Sequence, residues 1–339
     1  MNTKEMEQVA RALVAEGKGI LAADESFPTI EKRFKKIGID STEKHRQAYR
    51  DMLFTTPDIG RYISGVIMFD ETLRQRSGDG TPFPKVLERQ GIIPGIKVDG
   101  GAKALAGYPG EKITEGLDGL RDRLAEYRKL GARFAKWRAV IAIGNDIPTR
   151  FCIDANAHAL ARYAALCQEA GIVPIVEPEV LMDGGHTIDR CADVTRTTLT
   201  SLFFHLHAHG VVLEGTLLKP NMVIAGKDCP RQASVREVAE ATVRCLRRAV
   251  PAAVPGIVFL SGGQSSEVAT AHLNAMNAVG EHPWQLSFSY GRALQDEALN
   301  GWKGDPANVT TAQRAFHHRA KLVSAARFGK YTQEMEAAA

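Results

Sequence analysis

Short apolar segments alternate with longer amphipathic segments along almost the whole chain. Eight apolar segments have the length and composition of buried strands, and they cover residues 19–24, 64–70, 95–99, 134–140, 173–178, 213–219, 256–262 and 285–291. The segments between them carry apolar residues at helical spacing, as in the run Leu117, Leu120, Leu124, Tyr127 and Leu130, which ends at Gly131. The pattern predicts eight strands with helices between them.

The ends of several helices can be located from the sequence. Ser234 and Glu237 match a capping box ahead of one helix, and Thr310 and Gln313 match another ahead of the last long helix. The N-terminal sequence MNTKEMEQVARALVAEG has the apolar stripe of an amphipathic helix and not the pattern of a signal peptide.

A strand followed by a helix, repeated eight times, predicts a (β/α)8 TIM barrel. We expect a single domain over residues 1–339, with an N-terminal helix and a short C-terminal tail, because no low-complexity linker divides the chain. The alternative is a doubly wound open sheet, which normally carries a glycine-rich dinucleotide loop after its first strand. The corresponding sequence GILAADESFP lacks such a loop.

Composition narrows the classes of function. Hydrophobic residues make up 44% of the 339 positions, enough for a large core, and the net charge of +4 is spread along the chain without a basic run. We therefore expect no nucleic-acid partner and no membrane, and at most a preference for small anions. Five scattered cysteines without CxxC spacing predict free thiols and a cytoplasmic protein.

Polar residues collect at the carboxyl ends of the predicted strands, the face that carries the active site of an α/β barrel. They are Asp24, Lys97, Lys136, Arg138, Glu177, Glu179, Lys219, Ser261 and Ser289. Any one of them could merely begin a solvated loop, but nearly every strand ends in this way. The sequence therefore predicts a site at this face.

Lys136 and Lys219 lie on the fourth and sixth predicted strands and can share one layer of the barrel. Mutual repulsion and burial both disfavour the charged amines, so we expect a neutral amine that attacks a carbonyl and forms a Schiff base. The alternative is that Lys219 forms a salt bridge with Glu177 or Glu214. Glu177 lies between the two lysine strands, where a general acid/base is expected.

Two further carboxylates, Asp24 and Glu179, belong to the same predicted face. Asp24 closes the first strand. Glu179 points the same way as Glu177 on an extended chain, so it could orient a lysine or simply begin the loop.

Two groups of residues predict anion binding. The segment FLSGGQSS places Ser261, Gly262 and Gly263 ahead of a helix, and Gly291 with Arg292 ends the eighth strand. A second basic group, predicted on the other side of the mouth, consists of Arg33, Lys97 and Arg138. Two anion sites that flank a reactive lysine imply a bisphosphorylated carbonyl compound.

The segment HLHAH places His205 and His209 on one face of a helix. A metal site is conceivable there. Because no acidic partner is nearby and the segment precedes the sixth strand, at the opposite end of the barrel, we favour a solvated surface.

Seven motifs occur in family order between about residue 10 and Tyr331, and together they closely resemble class I fructose-bisphosphate aldolase, the Schiff-base type. They are GKGILAADES, GIKVD, FAKWR, IVPIVEPE, LEGTLLKPNM, FLSGGQS and FSYGRALQ. The resemblance implies a (β/α)8 barrel, a homotetramer, no cofactor and no metal. It also implies reversible cleavage of fructose 1,6-bisphosphate to glycerone phosphate and glyceraldehyde 3-phosphate in glycolysis and gluconeogenesis.

The same resemblance implies roles for individual residues. Lys219 matches the Schiff-base lysine, Glu177 the general acid/base, and Asp24 and Lys136 the residues that orient this chemistry. The 1-phosphate site corresponds to Ser261, Gly262, Gly263, Ser289, Gly291 and Arg292. Arg33, Lys97 and Arg138 correspond to the 6-phosphate end, and Ser26, Thr29 and Glu179 are further candidates for substrate contact.

Three positions depart from the family pattern. The sequence Phe27-Pro28-Thr29 stands where Gly-Ser is frequent, Gly100 replaces a frequent lysine, and the tail QEMEAAA lacks a terminal tyrosine. The preference between bisphosphate and monophosphate substrates therefore does not follow from the resemblance. An aldolase for another sugar phosphate, a catalytically silent phosphosugar-binding protein and a pyridoxal-phosphate barrel are the alternatives.

Overall fold

Parallel strands close into an eight-stranded barrel in this computed structural model, which describes residues 3–337. The strands are β1 (Gly19–Ala23), β2 (Ile63–Met68), β3 (Ile93–Lys97), β4 (Ala102–Ala104), β5 (Lys112–Thr114), β6 (Phe134–Ile141), β7 (Val173–Val180), β8 (Leu217–Leu218), β9 (Gly256–Phe259) and β10 (Gln285–Tyr290). The barrel runs β1-β2-β3-β6-β7-β8-β9-β10 and closes back on β1, while β4 and β5 form a separate antiparallel pair. The barrel prediction is confirmed, and the open-sheet alternative is wrong.

Helices surround the barrel and follow its strands. They are α1 (Thr3–Leu13), α2 (Phe27–Lys36), α3 (Glu43–Phe54), α4 (Asp70–Arg74), α5 (Phe83–Glu88), α6 (Leu120–Leu130), α7 (Arg150–Glu169), α8 (Ile188–Ala208), α9 (Val235–Ala249), α10 (Ser266–Ala278), α11 (Arg292–Trp302) and α12 (Val309–Ala326). Short 3-10 segments lie at Ile59–Arg61, Leu213–Gly215, Pro306–Asn308 and Gln333–Ala337. None of the helices within residues 3–337 is both long and apolar enough to cross a membrane.

The predicted helix ends are correct in two cases and wrong in one. Gly131 ends α6 in the left-handed conformation, with φ at 111°, and Ser234 forms the complete capping box of α9 with Glu237. Thr310 is not a cap, because α12 already begins at Val309 and follows directly on the turn Pro306–Asn308.

Apolar side chains fill the barrel below its polar end. Phe134 of β6 and Ile175 of β7 are completely buried there together with Leu13 of α1, so the N-terminal helix closes the barrel where the strands begin. Gly95 allows this packing, since a Cβ atom at that position would lie 2.3 Å from the ring of Phe134. The opposite end of the barrel is left open and polar.

The predicted strand 213–219 is wrong over its first half. Leu213–Gly215 forms a 3-10 turn, and β8 itself has only two residues. The buried side chain of Gln168 fixes the turn, because its Nε2 donates to the carbonyl of Val212 over 2.8 Å and its Oε1 accepts from the N–H of Val212 over 3.0 Å. Lys219 still joins the sheet, since its N–H donates to the carbonyl of Val176 over 2.9 Å.

Candidate active site

A cavity of about 610 Å³ opens between the carboxyl ends of the strands. All of the predicted site residues except Gly263 line it, namely Asp24, Ser26, Thr29, Arg33, Lys97, Lys136, Arg138, Glu177, Glu179, Lys219, Ser261, Gly262, Ser289, Gly291 and Arg292. A Cβ atom on Gly263 would lie 3.3 Å from Nη2 of Arg292, so this glycine lies just behind the rim. The barrel thus brings the predicted residues into one space.

Glu177 lies between the two buried lysines. Its Oε1 is 3.2 Å from Nζ of Lys219 and its Oε2 is 3.3 Å from Nζ of Lys136. The salt bridge between Lys219 and Glu177, considered as an alternative above, is therefore present, and none to Glu214 is found in the described part of the chain. The contact places a proton acceptor within reach of the Lys219 amine.

Lys136 is held by carboxylates on several sides. Its Nζ lies 2.7 Å from Asp24, 3.3 Å from Glu177 and 3.9 Å from Asp99. Burial alone would lower the pKa of Lys136, but Asp24, Glu177 and Asp99 together raise it above its ordinary value. The expectation that repulsion neutralises both lysines is thus wrong for Lys136, which remains a permanent ammonium.

Asp24 is ionised for the complementary reason. Burial would raise the pKa of Asp24, but the ammonium groups of Lys136, Lys219 and Lys97 lower it below its ordinary value. The carboxylate and Lys136 therefore stabilise each other's charged form.

Asp99 belongs to the site although the sequence reasoning passed over it. Its carboxylate lies 2.7 Å from Nζ of Lys97 and accepts hydrogen bonds from the N–H groups of Gly101 and Arg138 at 3.1 and 3.2 Å. The signal was present in GIKVD, because Asp99 follows a strand end just as Asp24 does.

Glu179 holds an arginine and not a lysine. Its Oε2 accepts a hydrogen bond from Nε of Arg138. Burial would lower the pKa of Arg138, but Glu179 and Glu177 raise it. Arg138 and Lys97 thus present cations on the β3 and β6 side of the mouth.

Arg33, which the sequence grouped with Lys97 and Arg138, lies on the β10 side of the cavity that it shares with them. A Cβ atom on Gly291 would lie 3.5 Å from Nη2 of Arg33, so this guanidinium stands beside the loop that follows β10. The physical reason is closure of the barrel, which pairs β1 with β10 and places the side chains that follow β1 next to that loop.

Glu25, which the sequence reasoning also missed, anchors Arg33. Its Oε1 is 2.6 Å from Nη1 of Arg33, and its Oε2 contacts Arg50. Burial would raise the pKa of Glu25, but the two guanidinium groups lower it.

Several donors near β1, β9 and β10 are available to an anion. The hydroxyls of Ser26 and Thr29 share a 3.2 Å hydrogen bond at the start of α2, and the Ser26 side chain makes no capping hydrogen bond to the backbone of this helix. The hydroxyl of Ser289 is buried without a hydrogen-bond partner, and Arg292 has no ion pair within residues 3–337. Hydroxyls, helix N-termini and an unpaired guanidinium suit a phosphate group.

The other residues that the sequence singled out lie outside the site. All five cysteines are buried and free, as predicted. On the outer surface the ring of His158 lies 5.6 Å from that of His205 and 5.0 Å from that of His209. No three His, Cys, Asp or Glu side chains are arranged to hold a metal ion in the part of the chain that is described.

Comparisons with known proteins agree on one family. The family model described as Fructose-bisphosphate aldolase class-I matches residues 5–339. The Xanthomonas campestris protein named probable fructose-bisphosphate aldolase class 1 is 61% identical over 332 residues, which cover 98% of this chain and 99% of that protein. Cytosolic fructose-bisphosphate aldolase 4 of Arabidopsis thaliana is 55% identical over 316 residues, which cover 93% of this chain and 80% of that protein.

A solved structure has the same fold. It is fructose-bisphosphate aldolase from Plasmodium falciparum, in complex with TRAP and a small-molecule inhibitor. Its TM-score is 0.96 at 51% identity, and the match covers 97% of this chain and 95% of that one.

Proposed function

The chain belongs to the class I fructose-bisphosphate aldolase family, and we propose that Lys219 carries its reaction. The reaction is the reversible cleavage of fructose 1,6-bisphosphate to glycerone phosphate and glyceraldehyde 3-phosphate, a step of glycolysis and gluconeogenesis. The observation that carries the assignment is the 3.2 Å contact between Nζ of Lys219 and Glu177 at the floor of the cavity.

Imine formation begins with transfer of a proton from Lys219 to Oε1 of Glu177. The free amine attacks the C2 ketone, a C–N bond forms as the C=O π bond breaks, and a proton passes from the amine nitrogen to the former carbonyl oxygen. Glu177 then returns its proton to the C2 hydroxyl, which leaves as water, and an iminium cation remains on Lys219.

Cleavage uses the same two residues. Glu177 accepts the proton of the C4 hydroxyl, the C3–C4 bond breaks, and its electron pair moves into the iminium nitrogen. Glyceraldehyde 3-phosphate leaves and an enamine remains. Glu177 returns this proton to C3 of the enamine, and addition of water at C2 then releases glycerone phosphate and restores Lys219 and the Glu177 carboxylate.

Lys136 supports both steps as a fixed cation. It lies 3.3 Å from Glu177, where it stabilises the carboxylate and the negative charge that develops on the C4 oxygen. Asp24, 2.7 Å from Lys136, fixes the position of this ammonium.

The two phosphate groups of the substrate fit two sides of the mouth. We assign the 1-phosphate to Ser261, Gly262, Gly263, Ser289, Gly291 and Arg292, with Arg33 beside them. Lys97 and Arg138 face the other end of the substrate, where the hydroxyls of Ser26 and Thr29 are further candidate donors. Arg292 supports this assignment, because its guanidinium lines the cavity and forms no salt bridge within the described chain.

A panel of phosphosugars tests the substrate. We expect kcat/KM for fructose 1,6-bisphosphate to exceed that for every other ketose phosphate in the panel, with glyceraldehyde 3-phosphate as product in a coupled assay. A higher kcat/KM for another ketose phosphate favours an aldolase of different specificity. Binding of the bisphosphate without cleavage would identify a phosphosugar-binding protein.

We also propose that the protein acts in the cytoplasm as a homotetramer. The five buried free thiols suit a reducing compartment, and the Arabidopsis relative is named cytosolic. The tetramer is inferred from the resemblance to the family. Light scattering coupled to gel filtration is expected to give four times the mass of the chain, and a monomer mass contradicts the assignment.

A further inference from the structure

The loop that follows β9 makes a turn over residues 261–264 whose two central residues are glycines. Gly262 and Gly263 have φ angles of 60° and 93°, which glycine adopts far more readily than other residues. The N–H of Gln264 donates to the carbonyl of Ser261 over 3.0 Å and closes the turn. Because two adjacent glycines have no side chains to fix this conformation, the side chains of neighbouring residues hold it.

The side chain of Gln264 provides the first of these contacts. Its Nε2 donates to the carbonyl of Ser261 over 2.9 Å, so that oxygen accepts two hydrogen bonds from the same residue. The same amide nitrogen lies 3.6 Å from Sδ of Met222, three residues beyond Lys219. The amide therefore connects the turn with the segment that follows the reactive lysine.

His272 of α10 holds the amide in this orientation. Its Nδ1 lies 2.6 Å from Oε1 of Gln264. Since the amide nitrogen faces a carbonyl, the amide oxygen faces the imidazole and can only accept, so Nδ1 carries the hydrogen. The side chain of His272 is buried, and burial lowers its pKa to about 4, which leaves the ring neutral at physiological pH.

We propose that His272, acting through Gln264, is a positioning residue that holds the turn 261–264 in the conformation that binds the substrate phosphate. Within residues 3–337 the cavity lining includes Ser261 and Gly262 but not His272, so the imidazole acts through the amide and not by contact with substrate. The inference rests on the proposed function, which assigns this turn to the 1-phosphate.

The variant His272→Leu tests the role. It removes the N–H donor, frees the amide of Gln264 to rotate and loosens the turn. We expect KM for fructose 1,6-bisphosphate and the inhibition constant of inorganic phosphate both to rise roughly five- to ten-fold, the scale of one buried hydrogen bond, with kcat within two-fold of the wild type.

The variant His272→Asn separates positioning from packing. The amide nitrogen of asparagine can occupy the place of Nδ1 and donate to Gln264, although asparagine fills less space than the imidazole. We expect KM to return to within two-fold of the wild-type value. If the leucine and asparagine variants raise KM equally, the effect comes from lost packing and the proposal is overturned.

Asn277→Leu is the matched control on the same helix. The amide of Asn277 donates to the carbonyls of Leu273, Leu286 and Ala326 at 3.1, 3.3 and 3.2 Å, and none of these partners belongs to the turn 261–264. We expect a lower Tm with KM unchanged. A wild-type KM in His272→Leu would refute the inference alone, whereas a wild-type protein that fails to cleave fructose 1,6-bisphosphate would refute the proposed function.

Discussion

Glu177 contacts a different lysine with each of its two carboxylate oxygens, and the surroundings of those lysines separate their roles. In the described chain Lys219 contacts this one carboxylate, whereas Lys136 also contacts Asp24 and Asp99. An ammonium with three anionic neighbours keeps its proton. Lys136 is therefore the fixed charge of the site, and our proposal assigns the attack on the carbonyl to Lys219.

Replacing Lys136 by methionine removes the fixed charge at nearly constant length. We expect kcat for fructose 1,6-bisphosphate to fall by roughly 10²-fold or more, because charge that develops in the transition state loses its neighbour. KM is expected to change much less. Steady-state kinetics check this, and a kcat within three-fold of the wild type would show that the ammonium has no catalytic role.

The lowered pKa of Asp24 makes stability depend on pH in a definite direction. A carboxyl group whose folded pKa lies below its ordinary value of 3.8 stabilises the fold above that value, and the contribution is lost as pH falls towards the folded pKa. We expect the wild type to exceed Asp24→Asn by about 2 kcal/mol in unfolding free energy at pH 7.

The same difference is expected to shrink below about pH 4, where the carboxylate of the unfolded chain takes up protons. Urea unfolding at a series of pH values measures it. A difference that stays constant from pH 7 to pH 3 would contradict the ion pair between Asp24 and Lys136.

At the scale of elements, two predicted site regions lie next to short or irregular structure. They are the start of α2, with Ser26 and Thr29, and the segment with Lys219 that follows the two-residue strand β8. Phe27, at the first turn of α2, packs edge-on against Phe69 at 5.2 Å, and the guanidinium of Arg46 lies 4.7 Å from its ring. Arg46 is fixed in turn by two hydrogen bonds to Glu71. The contacts of Phe27 with Phe69 and Arg46 therefore hold the start of α2 at a position where the family often has a flexible glycine.

The variant Phe27→Gly is expected to release the start of α2 and its hydroxyls, Ser26 and Thr29. KM for fructose 1,6-bisphosphate should rise several-fold, while kcat changes less than two-fold, because preorganisation of the donors is lost but not the reacting groups. Phe27→Leu, which keeps an apolar contact with Phe69, is the control, and its KM should lie between the values of the wild type and of Phe27→Gly. An unchanged KM in the glycine variant would show that the contacts of Phe27 do not position these hydroxyls.

The turn before β8 depends on one buried amide. Gln168→Leu leaves the buried N–H of Val212 without its partner and removes one of the donors to its carbonyl, so we expect the unfolding free energy to fall by about 2 kcal/mol. Chemical denaturation measures the loss. Arg162→Ala, on an outer face of the same helix, should change it by less than 0.5 kcal/mol. An unchanged unfolding free energy in Gln168→Leu would mean that the turn Leu213–Gly215 does not depend on the Gln168 side chain.

At the scale of the whole molecule, closure of the barrel decides what could be predicted from the sequence. Asp24, Lys136, Glu177 and Lys219 were predictable together, because the carboxyl ends of parallel strands converge on one face. The short extent of β8 was not predictable, because the turn Leu213–Gly215 before it is fixed by Gln168, a residue that is remote along the chain.

The position of Arg33 and the charge of Lys136 were also beyond the sequence. Pairing of β1 with β10 places Arg33 beside Gly291, and the neighbours that keep Lys136 charged come from three other strand ends. Periodicity and strand order predict which residues share a face. They do not predict which charged groups pair across it.

Borohydride trapping tests the central claim most directly. The protein is reduced with sodium borohydride in the presence of fructose 1,6-bisphosphate, and the modified peptide is identified by mass spectrometry, with Lys219→Met as the control. We predict a stable adduct on Lys219 alone, loss of activity in step with its formation, and no adduct in the variant. An adduct on Lys136, or active enzyme that yields no adduct at all, would contradict the account.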